Sequence, residues 1–128
     1  VRVFYEDTDA AGLVYHGNYL KFMERARTEW LRQCGHSHGR LHNGESVLFV
    51  VTEMSVRFVR PARLDDLLEV RARIKHCTGA RLVFEHTINN ASGELLCAAE
   101  VKVGCLDARS LRPRRLPDSI RIELSDVN

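Results

Sequence analysis

The sequence predicts an α+β fold in which one long amphipathic helix is wrapped by a curved antiparallel sheet. Three observations predict it. Between Gly17 and about Cys34, the residues Tyr19, Leu20, Phe22, Met23, Ala26, Trp30, Leu31 and Cys34 fall within about half of a helical wheel. From Leu48 onward, long strand-like runs follow one another between turn signals. The lengths also agree. A helix of ~18 residues spans about 27 Å and a strand of ~10 residues about 33 Å, so a sheet of such strands can enclose one helix.

In chain order, Val1–Tyr5 reads as a short strand and Glu6–His16 as a turn-rich stretch holding Asp7, Asp9 and Gly12. The helix follows, with Lys21, Arg25, Thr28, Glu29 and Arg32 on its polar side and Gly35 as its stop. Arg27 intrudes on the apolar arc. His36–Ser46 is polar and reads as a loop, and Leu48–Val59 is the first long strand, ended by Pro61. Leu67–Lys75 alternates, with Leu68, Val70, Ala72 and Ile74 on one face and Glu69, Arg71, Arg73 and Lys75 on the other. Thr78-Gly79 marks a hairpin turn. Arg81–Asn89 places Leu82, Phe84, His86 and Ile88 on one face, and Asn89–Gly93 is a second turn. Leu95–Leu106 aligns Cys97, Ala99, Val101, Val103 and Cys105. Ser110–Leu116 reads as a short strand or tail, and Pro117 opens a short helix over Asp118–Glu123. With no repeats, low-complexity tracts or linkers, residues 1–128 read as a single domain.

A chain of 128 residues, 45% hydrophobic and 28% charged, buries a core without staples. A net charge of +2 gives no reason to expect nucleic acid as a partner. The four cysteines include no C-x-x-C pair, so a zinc or redox site has no support, and reduced thiols are expected. Asn90-Ala91-Ser92 fits a glycosylation sequon but no secretory signal accompanies it. No apolar run approaches the ~18 residues of a membrane span. The expected location is the cytoplasm. No G-x-S-x-G, P-loop or dinucleotide fingerprint is present, which removes serine-hydrolase and nucleotide-driven chemistry.

The informative stretch runs from Tyr5 to Tyr19. It sets carboxylates just ahead of a helix N-terminus, where free N–H groups favour negative charge. Those amides suit the oxyanion of a thioester under attack, and a neighbouring carboxylate can attack the carbonyl or activate water. Gly12 and Gly17 permit close approach of backbone to a ligand. Spacing alone favours the plainer reading, a turn built by Asp7, Thr8 and Asp9 with His16 or Asn18 capping the helix.

The stretch closely resembles the YbgC-type acyl-CoA thioesterases and, more distantly, the 4-hydroxybenzoyl-CoA thioesterase family. Their pattern is approximately Y-x-D-T-D-x-x-G-x-V-Y-H-x-x-Y, which Tyr5 through Tyr19 match throughout, and the likeness continues through Glu24–Glu29 and Pro61–Asp66. The resemblance implies a hotdog fold and a homodimer with a continuous sheet, often paired into a homotetramer, with active sites at the subunit interface. It implies Asp9 as the catalytic aspartate, whether nucleophile or general base. It implies that the His16 backbone N–H meets the thioester carbonyl, and it implicates the His16 side chain. The implied substrate is an acyl-CoA, cleaved by water without metal or other cofactor; coenzyme A is part of the substrate.

Other residues are weighed beside these. Glu24 is the rival acid, because some hotdog relatives carry theirs on the helix. Asp7 reads as structural, Tyr19 as core, Tyr15 as an acyl-pocket wall, and His86 as a satisfied core or interface histidine. His36, His38 and His42 lack a metal-ligand pattern. Arg63 near Pro61 and Arg81 beside the Thr78-Gly79 turn suit coenzyme A phosphates at the pocket mouth. Arg57, Arg60, Lys75 and the tail arginines Arg109, Arg112, Arg114 and Arg115 extend these basic patches. An acidic acyl carrier protein would suit the same patches, Arg63 and Arg81 included. Two rival functions stand beside hydrolysis: an acyl-thioester hydratase or dehydratase, and a non-catalytic acyl-carrier-protein or membrane-complex partner. The intact Asp9 segment argues against the second.

Overall fold

The computed structural model describes residues 1–33, 47–117 and 120. The expected loop at His36–Ser46, and the expected helix over Asp118–Glu123 apart from Ile120, lie outside the described residues. A 3-10 turn at Tyr5–Asp7 precedes helix α1 (His16–Gln33), and four strands follow: β1 (Val47–Phe58), β2 (Glu69–Thr78), β3 (Arg81–Asn89) and β4 (Leu95–Asp107). They form one antiparallel sheet in the order β1-β4-β3-β2.

The alternation read from sequence sets which face of the sheet is buried. Leu68, Ile74, Leu82, Phe84, Ile88, Cys97, Ala99, Val101, Val103 and Cys105 are buried, and Tyr19, Phe22, Met23 and Leu31 of α1 are buried with them in one core. The opposite face carries ion pairs: Arg73–Glu85, Lys75–Glu100 and Lys102–Glu53. The ladders hold three register shifts, between Val51 and Glu53, between Ile74 and His76, and between Ile88 and Asn89, where β4 carries the extra residue Leu96. Each extra residue reverses the alternation beyond it and increases the local twist, which helps the sheet to curl. This is why Phe49 packs on the core before the shift in β1, and Met54 and Val56 after it.

The N-terminal strand is shorter than expected. Val1 and Val3 exchange backbone hydrogen bonds with Leu68, Asp65 and Asp66, but the pairing amounts to a single bridge, Arg2 with Leu67. The Asp7 N–H then donates to the Phe4 carbonyl, and the 3-10 turn carries the chain off the sheet. The other turns follow the sequence. Gly79 takes φ +52 where β2 meets β3, and Asn90 Oδ1 accepts the N–H groups of Ser92 and Glu94 where β3 meets β4. Ser110–Leu116 folds back along β4 through one bridge, Leu106 with Pro113, closed by the Asp107 N–H to the Arg112 carbonyl and the Arg114 N–H to the Cys105 carbonyl.

Candidate active site

Asp9 stands on a tight hairpin between the 3-10 turn and α1. Its rungs are Tyr15 N–H to the Asp7 carbonyl (3.0 Å), a bridge of Thr8 with Val14, and Asp9 N–H to the Leu13 carbonyl (2.9 Å). The Gly12 N–H donates to the Asp9 carbonyl at 3.0 Å, and Gly12 makes the turn at φ +77. The Asp9 side chain is exposed, and its Oδ1 accepts the Ala11 N–H at 2.9 Å. That bond turns the carboxylate and leaves its other oxygen to solvent.

A second contact holds the hairpin against the connection between β1 and β2. Leu13 bridges Arg63, and the Val14 N–H donates to the Ala62 carbonyl at 2.9 Å. The Ala62 N–H in turn donates to the hydroxyl of buried Tyr19 at 3.0 Å. Tyr19 is therefore a core residue, as expected, and its polar tip clamps the Pro61–Ala62 corner to the helix. Burial pushes its phenol pKa upward.

The chain enters α1 directly from the hairpin. The Tyr15 N–H is bound to Asp7, and the Asn18 N–H donates to the Tyr15 carbonyl at 2.9 Å. Among the described residues, no acceptor faces the amides of His16 and Gly17, the first two of the helix. Neither His16 nor Asn18 stands ahead of the helix as a cap. His16 is its first residue, and the Asn18 side chain donates to Asp7 instead. The Tyr15 ring lies on His16 with centroids 4.3 Å apart, and the ring of Phe58, at the end of β1, approaches His16 edge-on at 6.4 Å. A Cβ on Gly17 would meet the Tyr15 ring at 3.1 Å, so glycine makes room for that ring across the helix start.

One turn along the helix from His16, Leu20 opens a cavity of about 310 Å³ between α1 and the sheet. Leu31, Phe49, Met54, Leu82 and Phe84 line it, with Glu24 and Arg27 among its polar walls. Tyr15 is not one of its walls. Arg27, out of place on the wheel, is explained here: its Nη1 donates to Nε2 of wholly buried His86 at 2.9 Å. His86 Nδ1 faces the Arg71 carbonyl at 3.2 Å, so the ring is neutral with its proton on Nδ1. Burial first, and then Arg27, lower the His86 pKa to about 4. His86 is the satisfied core histidine that its strand face suggests.

The structure thus brings together Asp9, Tyr15, His16, Gly17 and Arg63 at one end of the sheet. It does not bring Arg81 there within one chain. Arg81 opens β3, opposite Gly104, whereas the Asn89 end of β3 pairs with Glu69. Eight steps along the strand separate the two ends, about 27 Å. Sequence reasoning missed Phe58 beside His16 and the bond between Asp7 and Asn18. Neither carries a periodic or motif signal, because each depends on segments distant in sequence meeting in space. Among the described residues, no helix is long and apolar enough to cross a membrane.

One helix in a curled antiparallel sheet of this order is a hotdog architecture, and the chain belongs to the thioesterase superfamily, whose family model matches residues 11–97. Within it the chain falls in the YbgC-type group. It is 51% identical over 123 residues to the acyl-CoA thioester hydrolase YbgC of Escherichia coli O6:H1, covering 96% of this chain and 91% of that protein. It is 37% identical to the acyl-CoA thioesterase YbgC of Helicobacter pylori strain J99, covering 98% of each. Among solved structures it resembles a probable thioesterase from Bartonella henselae, with TM-score 0.86 and 39% identity over 91% of this chain and 95% of that one. It also resembles a 1,4-dihydroxy-2-naphthoyl-CoA thioesterase from Synechocystis, with TM-score 0.92 and 25% identity over 99% and 93%. The chain is a thioester hydrolase.

Proposed function

We propose that the chain hydrolyses acyl-coenzyme A, with Asp9 as the reacting carboxylate and the amides of His16 and Gly17 as the oxyanion site. One observation carries the reading: the hairpin presents an exposed carboxylate just ahead of a helix N-terminus whose first two amides lack acceptors among the described residues. As oxygen adds to the thioester carbon, negative charge collects on the carbonyl oxygen, and amides directed there stabilise it. Asp9 supplies the oxygen directly or takes the proton from the attacking water. If Asp9 attacks, the carbon–sulfur bond breaks to leave an acyl–Asp9 anhydride, and water then hydrolyses it to the free acid. If Asp9 activates water, the water oxygen stays on the acyl carbon as the carbon–sulfur bond breaks. In either case a proton from the water ends on the departing thiolate. No metal or further cofactor enters this scheme.

The acyl group has a place in the apolar cavity that begins at Leu20. Arg63, exposed on the hairpin's neighbour, suits the phosphates of coenzyme A or an acidic acyl carrier protein. The site is read as completed in a dimer formed through β1. The β2 edge carries Glu69, Arg71, Arg73 and Lys75, which resist pairing. The β1 edge instead exposes Val51 (47%) and Phe58 (51%). Antiparallel pairing of two β1 strands about their centre would set the Val47 end of one against the Phe58 end of the other. The end holding Arg81 would then face the partner's hairpin. The location read for such an enzyme is the cytoplasm.

Asp9→Asn tests the reading, because it keeps the shape and removes the charge. The expected kcat for acyl-CoA falls by about 10²-fold or more, while acyl-CoA still binds. His16→Ala is expected to cost less, since its backbone amide survives. A folded Asp9→Asn protein working near the parent rate would refute the assignment and make Glu24, on the cavity wall, the next residue to change. Enoyl-thioester hydration in place of thiol release would favour the hydratase reading.

A further inference from the structure

Beneath the exposed Asp9 lies a second carboxylate that the chemistry does not use. Asp7 is only 9% exposed. Its Oδ2 accepts the Phe4 N–H at 2.9 Å and its Oδ1 accepts from Asn18 Nδ2 at 2.8 Å. Its own carbonyl takes the Tyr15 N–H at 3.0 Å, the rung that closes the hairpin. One residue thus joins the N-terminal segment, the base of the hairpin and the first turn of α1. Charge-assisted bonds of this kind are stiff, and losing one leaves a buried carboxylate short of a donor.

The consequence is geometric. Asp9 is two residues from Asp7, and only the Thr8–Val14 bridge and the Asp9–Leu13 hydrogen bond lie between the base of the hairpin and its tip. A tilt at the base therefore moves the Asp9 carboxylate against the amides of His16 and Gly17. We infer that Asp7 and Asn18 are a positioning pair. They set the angle of the Asp9 hairpin on the helix N-terminus, and with it the rate of the thioester step, without touching substrate. This rests on the reading of Asp9 as the reacting group.

Donor and acceptor chemistry supplies the test. Asp7→Asn presents one amide donor to a donor, and Asn18→Ala removes the donor from α1. Each is expected to lower kcat by about 10- to 100-fold, the scale of an ångström-sized misplacement, with KM changed by no more than about twofold. The exchanged double variant, Asp7→Asn with Asn18→Asp, restores one donor facing one acceptor at every contact. It is expected to recover most of kcat. In an Asp9→Asn background, Asn18→Ala should cost nothing further, because there is no carboxylate left to position. The inference is overturned if the exchanged variant stays as slow as the single ones. It is also overturned if Asn18→Ala costs the same factor in both backgrounds, as a merely structural role would require. An Asp9→Asn enzyme near the parent rate removes the reading of Asp9 and this inference with it, whereas a slow Asp9→Asn enzyme with additive losses removes the inference alone.

Discussion

Two glycines of the motif do different work, and substitution separates them. Gly12 holds φ +77, and a Cβ there would meet nothing within 4 Å. The cost of Gly12→Ala is therefore the backbone alone, about 1–2 kcal/mol for an L-residue in the left-handed region. Denaturant unfolding should show that loss, with kcat falling as the turn beside Asp9 relaxes. Gly17 lies in the helix, where alanine is favoured by about 1 kcal/mol. Its new Cβ would press on the half-exposed Tyr15 ring at 3.1 Å, and that ring can swing away. Gly17→Ala should leave stability unchanged or raised, and any effect should fall on substrate handling near Tyr15. Equal destabilisation by both changes would contradict this division. The sequence marks both positions as glycine, but only the backbone angle and the neighbouring ring tell them apart.

At the scale of elements, α1 and β3 are joined across the core by a polar contact, Arg27 to His86. Arginine only donates, so His86 must accept at Nε2, and protonating the ring would set two cations against each other. The folded pKa is about 4, against 6.5 for a free histidine. Between those values the unfolded chain binds more protons than the folded one. Stability is thus full above pH 6.5 and is lost as pH falls toward 4. From pH 7.5 to pH 5 this one group should cost about 2 kcal/mol. His86→Gln keeps an acceptor for Arg27 and removes the titration, so urea unfolding should show a shallower pH dependence in the variant by that amount. Matching slopes would refute the contact as the cause. From the sequence alone, Arg27 is an intruder on an apolar arc and His86 a histidine on an apolar face, and nothing pairs them, because the residues are 59 positions apart.

At the scale of the molecule, the two sheet edges are unlike. Alternating charge guards β2, while β1 exposes apolar side chains beside an open apolar cavity. A solution assembly of at least two chains is the expected outcome by light scattering. Val51→Lys, at the exposed β1 edge, should weaken that assembly as read by light scattering; because Val51 also lines the apolar cavity, the assembly and not the activity is the readout. A fully active monomer at assay concentration would overturn the composite site. The same pairing would account for Arg81, which a single chain leaves at the far end of β3 from Asp9.

Period and turn chemistry alone determined the element order, the buried faces of α1, β2, β3 and β4, and the hairpin turns, because each depends on neighbours a few residues apart. Asp9 and His16 were singled out by the resemblance of Tyr5 through Tyr19 to the YbgC-type motif, whereas the spacing of that stretch suits a plain turn as well. Only the tertiary structure decided that the N-terminal strand shrinks to one bridge, that Asp7 spends its carboxylate on Phe4 and Asn18, and that Phe58 meets His16. It also decided that Arg63 joins the hairpin while Arg81 does not. Those outcomes depend on which distant segments the curled sheet brings side by side, and register shifts such as the one between Val51 and Glu53 leave no periodic mark in the sequence.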